Sequence, residues 1–390
     1  MNELFEYWQL LLIPLFFGLG WAAARVDMRQ VVHESRALPR SYFQGLNFLL
    51  NEQPDRAIEA FNEVVRVDPE TVELHFALGS LFRRRGELER ALRIHQNLMN
   101  REDLPEPLKE QALFELGIDY LKSGLLDRSE EIFKRLAEGA RREEALKQLL
   151  EIYQLEKSWD KAIELAEKVP ELASQHEVAE FWCEMAENAL IRSKTDEARR
   201  HVQQALSLHR QCVRASIIAG DIERKEGHPE RAIDAWLRIE QQQPEFLSLV
   251  ASRIADVYKG LARQAEGMQL LKGFLTRYPS VDMLDVVCQQ VVEEEGAQAA
   301  YDFALAQLHR TPSLIALDKA LEARSAVTPA EQMADLDLVK KLIKNQTQRL
   351  SRYTCKCCGF KARQFYWRCP ACSEWESYPP KRSEEFSLVQ

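Results

Sequence analysis

The chain opens on an unbroken apolar run. Residues 7–24, YWQLLLIPLFFGLGWAAA, carry no formal charge and are bounded by Glu6 and Arg25. At about 1.5 Å rise per residue, a helix of that length crosses most of a roughly 30 Å hydrocarbon layer. Tyr7, Trp8 and Trp21 fall where an aromatic belt belongs. The pattern therefore predicts a transmembrane anchor over residues 1–25 and a juxtamembrane linker over 26–36. Arg25, Arg29, Arg36 and Arg40 follow the span, against Asp27 and Glu34. That bias puts the N-terminus outside and residues 25–390 in the cytoplasm. A cleavable signal is the alternative, since WAAA imitates a cleavage site, but the N-terminus carries Glu3 and Glu6 and no basic residue. Gly18/Ala22 and Gly20/Ala24 form small-residue pairs that allow close approach of another membrane helix.

Beyond residue 36 the apolar positions recur at helical spacing, in paired short segments. YFQGLNFLLNEQPDRAIEAFNEVVRVDP is followed by FALGSLFRRRGELERALRIHQNLM. Each reads as an amphipathic helix, a polar turn, and a second helix opened by a charged residue and Ala. Gly45 and Gly79 stand 34 residues apart, as do Ala57 and Ala91, and Ala198 and Ala232 repeat the step. FELGIDYLKSGLLDRSEEIFKRL and IIAGDIERKEGHPERAIDAWLRIEQQQP continue the series. From about Val281 to Lys344 the pattern degenerates, although helical periodicity persists through YDFALAQLHR and LIALDKALEAR.

These units resemble tetratricopeptide repeats, whose Gly, Ala and Pro positions match at Gly45/Ala57/Pro69 and Gly220/Ala232/Pro244. The expectation is an all-α, superhelical solenoid over residues 37–345, degenerate after 280. Stacked helix pairs share a core that no single pair can close, and present a surface for partner proteins rather than a catalytic site.

Composition narrows the function. A formal net charge of -9 argues against nucleic acid as a partner. Gly and Pro, at 15 each, are too sparse for an all-β grammar. The eight histidines form no HExxH, and no glycine-rich phosphate loop occurs. Arg83-Arg84-Arg85 reads as a solvated turn or as a contact for an acidic partner. Cys183, Cys212 and Cys288 stand singly in apolar-periodic stretches and read as small buried core residues, which fits a reducing compartment.

The other five cysteines carry the chemistry. YTCKCCGF and WRCPACSEW hold Cys355-x2-Cys358 and Cys369-x2-Cys372, ten residues apart. Two such turns bring four thiolates round one ion at about 2.3 Å. The metal candidates are thus Cys355, Cys358, Cys369 and Cys372, in a domain spanning 346–390. Zinc is preferred and iron possible, since S4 geometry accepts both. Cys357 either points away or substitutes for Cys358. A thioredoxin-like role for CPAC needs a βαβ context that is absent. The segment resembles a shortened rubredoxin knuckle pair, with Ser373 where glycine usually follows the last cysteine. Phe365, Tyr366, Trp367 and Trp375 offer apolar surface for docking on the last repeats or on a partner.

The whole order, membrane helix, repeat array and four-cysteine end, resembles the lipopolysaccharide assembly protein B family of Gram-negative bacteria. That resemblance implies an inner-membrane adaptor, not an enzyme, that regulates lipopolysaccharide biosynthesis. It implies presentation of the lipid A pathway deacetylase to a membrane AAA+ zinc protease for degradation. It also implies restraint by an inner-membrane, lipopolysaccharide-sensing regulator acting through the helix 7–24, which contacts membrane lipid. Two alternatives stand beside it: a non-proteolytic assembly platform for lipopolysaccharide synthesis and export enzymes, and an electron-transfer protein.

Overall fold

A computed structural model describes residues 40–382, apart from 52, 68–70, 330–332 and 351–352. The expected membrane helix at 7–24, its linker and residues 383–390 lie outside the described residues. Among the described residues no helix is long and apolar enough to cross a membrane. The chain divides into two compact units, Met1–Glu156 and Lys157–Gln390.

In the first unit, helices Arg40–Leu50, Val72–Arg84 and Glu106–Lys122 each pack against the helix that follows, Pro54–Val67, Leu88–Met99 and Leu126–Leu136; Arg142–Leu155 comes last. The pairing follows from one side-chain exchange. A Cβ on Gly45 would fall 2.3 Å from Phe61, on Gly79 2.3 Å from His95, and on Gly117 2.8 Å from Phe133. Each glycine thus makes room for a ring sixteen residues later, on the partner helix. The alanine position is as strict: Ala57 and Ala91 are fully buried, and so is Ser129, which replaces alanine in the third pair. Its hydroxyl donates to the Gly117 carbonyl at 2.8 Å, so the polar substitution is satisfied.

The turns close in a Schellman geometry, in which Gly86 (φ 80°) leaves the helix left-handed and the Glu87 N–H reaches back to the Phe82 carbonyl at 2.9 Å. Lys157, Ser193 and Ala262 hold the same left-handed backbone without glycine, which is why the turn is not readable from glycine alone. Of the arginine run, Arg84 and Arg85 are exposed and Arg83 turns into the fold. Arg83 pairs with Glu115 at 2.5 Å and with the fully buried Asp119 at 2.7 Å, and Arg85 pairs with Asp55 at 2.7 Å. Asp119 also sits 2.5 Å from His95 Nδ1.

The second unit continues the pattern from Trp159–Lys168 through Gln175–Ile191, Thr195–Leu208, Val213–Lys225 and Pro229–Leu237. Ser174 caps Gln175–Ile191 in a reciprocal box, its hydroxyl accepting from the Glu177 N–H while the Glu177 carboxylate accepts from the Ser174 N–H. Gly220 repeats the exchange of the first unit: a Cβ would lie 2.2 Å from Trp236, whose indole N–H donates to the Ile217 carbonyl at 3.2 Å. After the short 3-10 turn Pro244–Leu249 come Ala251–Gly260, Gln264–Arg277, Val281–Glu295, Ala297–Arg310, Leu314–Ser325 and Met333–Leu350. The last of these runs across residue 345, where the sequence pattern divides array from metal domain. Cys183, Cys212 and Cys288 are all buried. They are not all single, however, because Cys183 and Cys212 bring their sulfurs to 3.6 Å.

Candidate metal centre

Two matching turns build the four-cysteine site. Strands Tyr353–Thr354 and Lys361–Ala362 pair antiparallel, Tyr353 opposite Ala362. Between them the Cys355 N–H donates to the Phe360 carbonyl at 2.9 Å, and the Gly359 N–H returns to the Cys355 carbonyl at 3.0 Å. The second turn repeats the same offsets: Cys369 N–H to Glu374 carbonyl, and Ser373 N–H to Cys369 carbonyl, both 2.9 Å. The matching residues Gly359 (φ 74°) and Ser373 (φ 62°) are both left-handed. Serine therefore occupies a backbone that favours glycine, which is the physical content of the departure at that position.

One donor atom from each of Cys355, Cys358, Cys369 and Cys372 lies within 4.8 Å of the other three. The Cys355–Cys372 and Cys358–Cys369 sulfurs are each 3.7 Å apart. A tetrahedron with bonds of about 2.3 Å has edges of about 3.8 Å, so these spacings fit a single metal ion. Cys357 is exposed and outside the group. Beneath the site, Cys355 and Cys369 pack with the fully buried Tyr378, whose hydroxyl donates to the Phe360 carbonyl at 2.9 Å.

The electrostatics also suit a cation. Burial opposes ionisation of Cys355, but the Ser377 hydroxyl and the N–H groups of Cys358 and Cys357 outweigh it and hold the thiol down at about 6. Cys372 is driven the other way: the Glu374 N–H favours its thiolate, yet burial and the three neighbouring sulfurs raise it. Four sulfurs this close do not all ionise without a positive charge among them.

The aromatic residues of the domain, expected to dock on the last repeats or on a partner, find their ring partners further upstream, while Tyr353 and Arg382 reach Asp282 in Val281–Glu295. Trp375 meets Trp159 and Phe181 edge-on, with centroids at 6.0 and 6.1 Å. Trp367 stacks on Phe246 at 5.6 Å, and Phe365 meets the same ring at 6.3 Å. Tyr366 stays within the domain, against Tyr378. Polar contacts frame this apolar seam: His176 with Glu376 at 2.8 Å, Lys356 with Glu245 at 3.1 Å, and Arg382 with Asp282.

Under the seam lies Arg214, 3% exposed, its guanidinium held by Glu180 at 3.1 Å and by Glu184 and Glu187 at 2.8 Å, and 5.6 Å from the centre of the Trp367 ring. Sequence reasoning missed this network. Nothing adjacent in sequence names a partner for Glu180, Glu184 and Glu187, because that partner stands 27 to 34 residues away. The 34-residue step to Arg214 is the one signal that could have found it.

Comparison with known proteins agrees with this architecture. A tetratricopeptide repeat family model matches residues 44–98 and 183–245, and a rubredoxin metal binding domain model matches 353–379. The lipopolysaccharide assembly protein B of Escherichia coli (strain K12) is 31% identical over 378 residues, covering 95% of this chain and 97% of its own. That of Haemophilus influenzae is 31% identical over 399 residues, covering 96% and 98%. Among solved structures, a tetratricopeptide repeat protein from Parabacteroides merdae aligns with 78% of this chain at 15% identity and a TM-score of 0.27, which carries no argument. With both relatives 31% identical and covered over 97% and 98% of their length, the chain belongs to the lipopolysaccharide assembly protein B family.

Proposed function

We propose that this chain is an inner-membrane adaptor that regulates lipopolysaccharide biosynthesis by presenting the lipid A pathway deacetylase to a membrane AAA+ protease. The observation that carries the reading is the match along nearly the full length of relatives named for lipopolysaccharide assembly. In this reading residues 1–25 anchor the chain and 26–36 link it. Residues 37–345 form the repeat array that binds the deacetylase, and 346–390 form the metal domain. The N-terminus is periplasmic and residues 25–390 are cytoplasmic. The helix 7–24 meets lipid, the protease and a lipopolysaccharide-sensing regulator.

Cys355, Cys358, Cys369 and Cys372 hold one metal ion, zinc in preference to iron. When bound, the ion supplies the positive charge that lets all four sulfurs be thiolates together. The chain's own part is to aim the donors. Backbone N–H groups and Ser377 favour the Cys355 thiolate, the left-handed residues Gly359 and Ser373 close the turns, and Tyr378 fills the floor. The metal domain thereby presents a rigid aromatic face to helices Trp159–Lys168 and Gln175–Ile191, ordering that part of the array for a partner.

Reconstitution tests the reading. The deacetylase and the protease are placed in vesicles with and without this chain, and deacetylase decay is followed. Faster decay with the chain is expected, and equal decay rates overturn the adaptor reading. Equal rates with the deacetylase still bound to the array would instead favour the non-proteolytic assembly platform, the reading closest to the name the relatives carry.

A further inference from the structure

Where the four-cysteine domain meets the helix Gln175–Ile191, a second set of metal-donor side chains converges. His176 and Glu180 lie one turn apart on that helix and Glu376 enters from the metal domain, with one donor atom of each within 4.8 Å of the others. The His209 ring stands edge-on to His176, centroids 5.2 Å apart.

Two carboxylate oxygens here are under-used. Glu376, its side chain 7% exposed, accepts through Oε2 from His176 Nε2 at 2.8 Å and Gln243 Nε2 at 3.3 Å. Its Oε1 is buried and has no hydrogen-bond partner. Glu180, fully buried, accepts through Oε2 from Arg214, while its Oε1 has only the Cys212 thiol at 3.5 Å. Leaving a buried carboxylate oxygen unpaired is costly.

Charge points the same way. Glu180, Glu184 and Glu187 all pair with the guanidinium of Arg214, and Glu376 stands near enough to Glu180 to act on its carboxyl. Burial raises the Glu180 carboxyl to about 7 against the pull of Arg214, and Glu376 adds to the rise. His176 answers part of that charge, since the hydrogen bond with Glu376 raises its pKa against burial, so an ion bound here would take the place of the imidazole proton. Imidazole nitrogen combined with carboxylate oxygen is a donor set for a zinc-class ion, rather than for the all-oxygen shells of calcium or magnesium. The neighbouring trio Glu180, Cys183 and Cys212 suits a cation less, because burial pushes the Cys183 thiol up.

We propose that His176, Glu180 and Glu376 form a second site for a zinc-class divalent cation, one that clamps the four-cysteine domain to the repeat helix. The ion replaces the His176 proton and with it the His176–Glu376 hydrogen bond, and takes up the orphaned oxygen of Glu376.

The test uses the purified full chain with its four-cysteine site loaded, dialysed at pH 7.5 against zinc buffered on the order of micromolar. Zinc per chain is read by elemental mass spectrometry. Wild type is expected to hold one ion more than Glu376→Gln. Equal content in the two proteins overturns the proposal. Should Glu376→Gln also lose the four-cysteine ion, His176→Gln, whose change lies outside that domain, decides by the same count. Cobalt adds an independent readout: the second equivalent should bring d–d absorption without sulfur-to-cobalt charge transfer. Identical cobalt titrations of wild type and His176→Gln contradict the site.

Discussion

Gly220 shows how much a single hydrogen decides in this fold. A methyl there would sit 2.2 Å from the Trp236 indole, which is fully buried and cannot withdraw. Gly220→Ala should therefore cost about 1–3 kcal/mol, read as a lower urea midpoint. Gly273, inside Gln264–Arg277 with nothing within 4 Å of a built Cβ, is the control. Gly273→Ala should be neutral or stabilising by up to about 1 kcal/mol. Ser373 is the reverse case, a side chain on left-handed backbone. Ser373→Gly should raise the melting temperature of the metal-loaded protein, the relief being about 1 kcal/mol before the added freedom of the unfolded chain is subtracted. A lower melting temperature would mean that the serine side chain contributes more than its backbone strain costs. Glu180 supplies a pH signature. Its carboxyl is raised in the folded state to about 7 from an ordinary 4.5, chiefly by burial. A raised acid contributes stability below its unfolded pKa, and that stability is lost as pH climbs through the folded value. Without added zinc, wild type should therefore lose stability between pH 4.5 and 7, by on the order of 3 kcal/mol more than Glu180→Gln. Parallel pH profiles would contradict the assignment.

At the scale of elements, the chain is legible where structure is local and illegible where it is not. The 34-residue step reports helix crossings, because a small residue on one helix and a ring on the next are needed wherever two axes approach. The four cysteine donors are legible for the same reason: C-x2-C is a turn, and a turn is written in neighbouring residues. Past Val281 the helix pairs persist, but Ala300 and Ala304 pack without the glycine–aromatic exchange, so periodicity survives and the repeat signature fades. The seat of the metal domain was not legible. Phe365, Trp367 and Trp375 announce an apolar face, yet nothing near them in sequence names Trp159, Phe181 or Phe246 as the surface they meet. Trp375→Ala should separate seating from metal binding, leaving the four-cysteine ion in place while limited proteolysis of the C-terminal domain speeds up. Cys355→Ser should lose both. Unchanged proteolysis of Trp375→Ala would mean that the seam of Phe246 with Phe365 and Trp367 suffices alone.

At the scale of the whole molecule, the lipopolysaccharide assembly protein B family is matched over 95% of the chain, and the chain's two legible parts have distinct physical tasks. Helix pairs supply surface, and four sulfurs spaced for one ion sit in a small domain that could not bury an adequate core unaided. The adaptor reading joins them: surface binds a client, and the ordered metal end keeps part of that surface in shape. The most direct measurement is the lifetime of the lipid A deacetylase in cells after this protein is depleted, with new synthesis blocked. The adaptor reading predicts a markedly longer lifetime, restored by the wild-type chain and not by Cys355→Ser. An unchanged lifetime on depletion would contradict it.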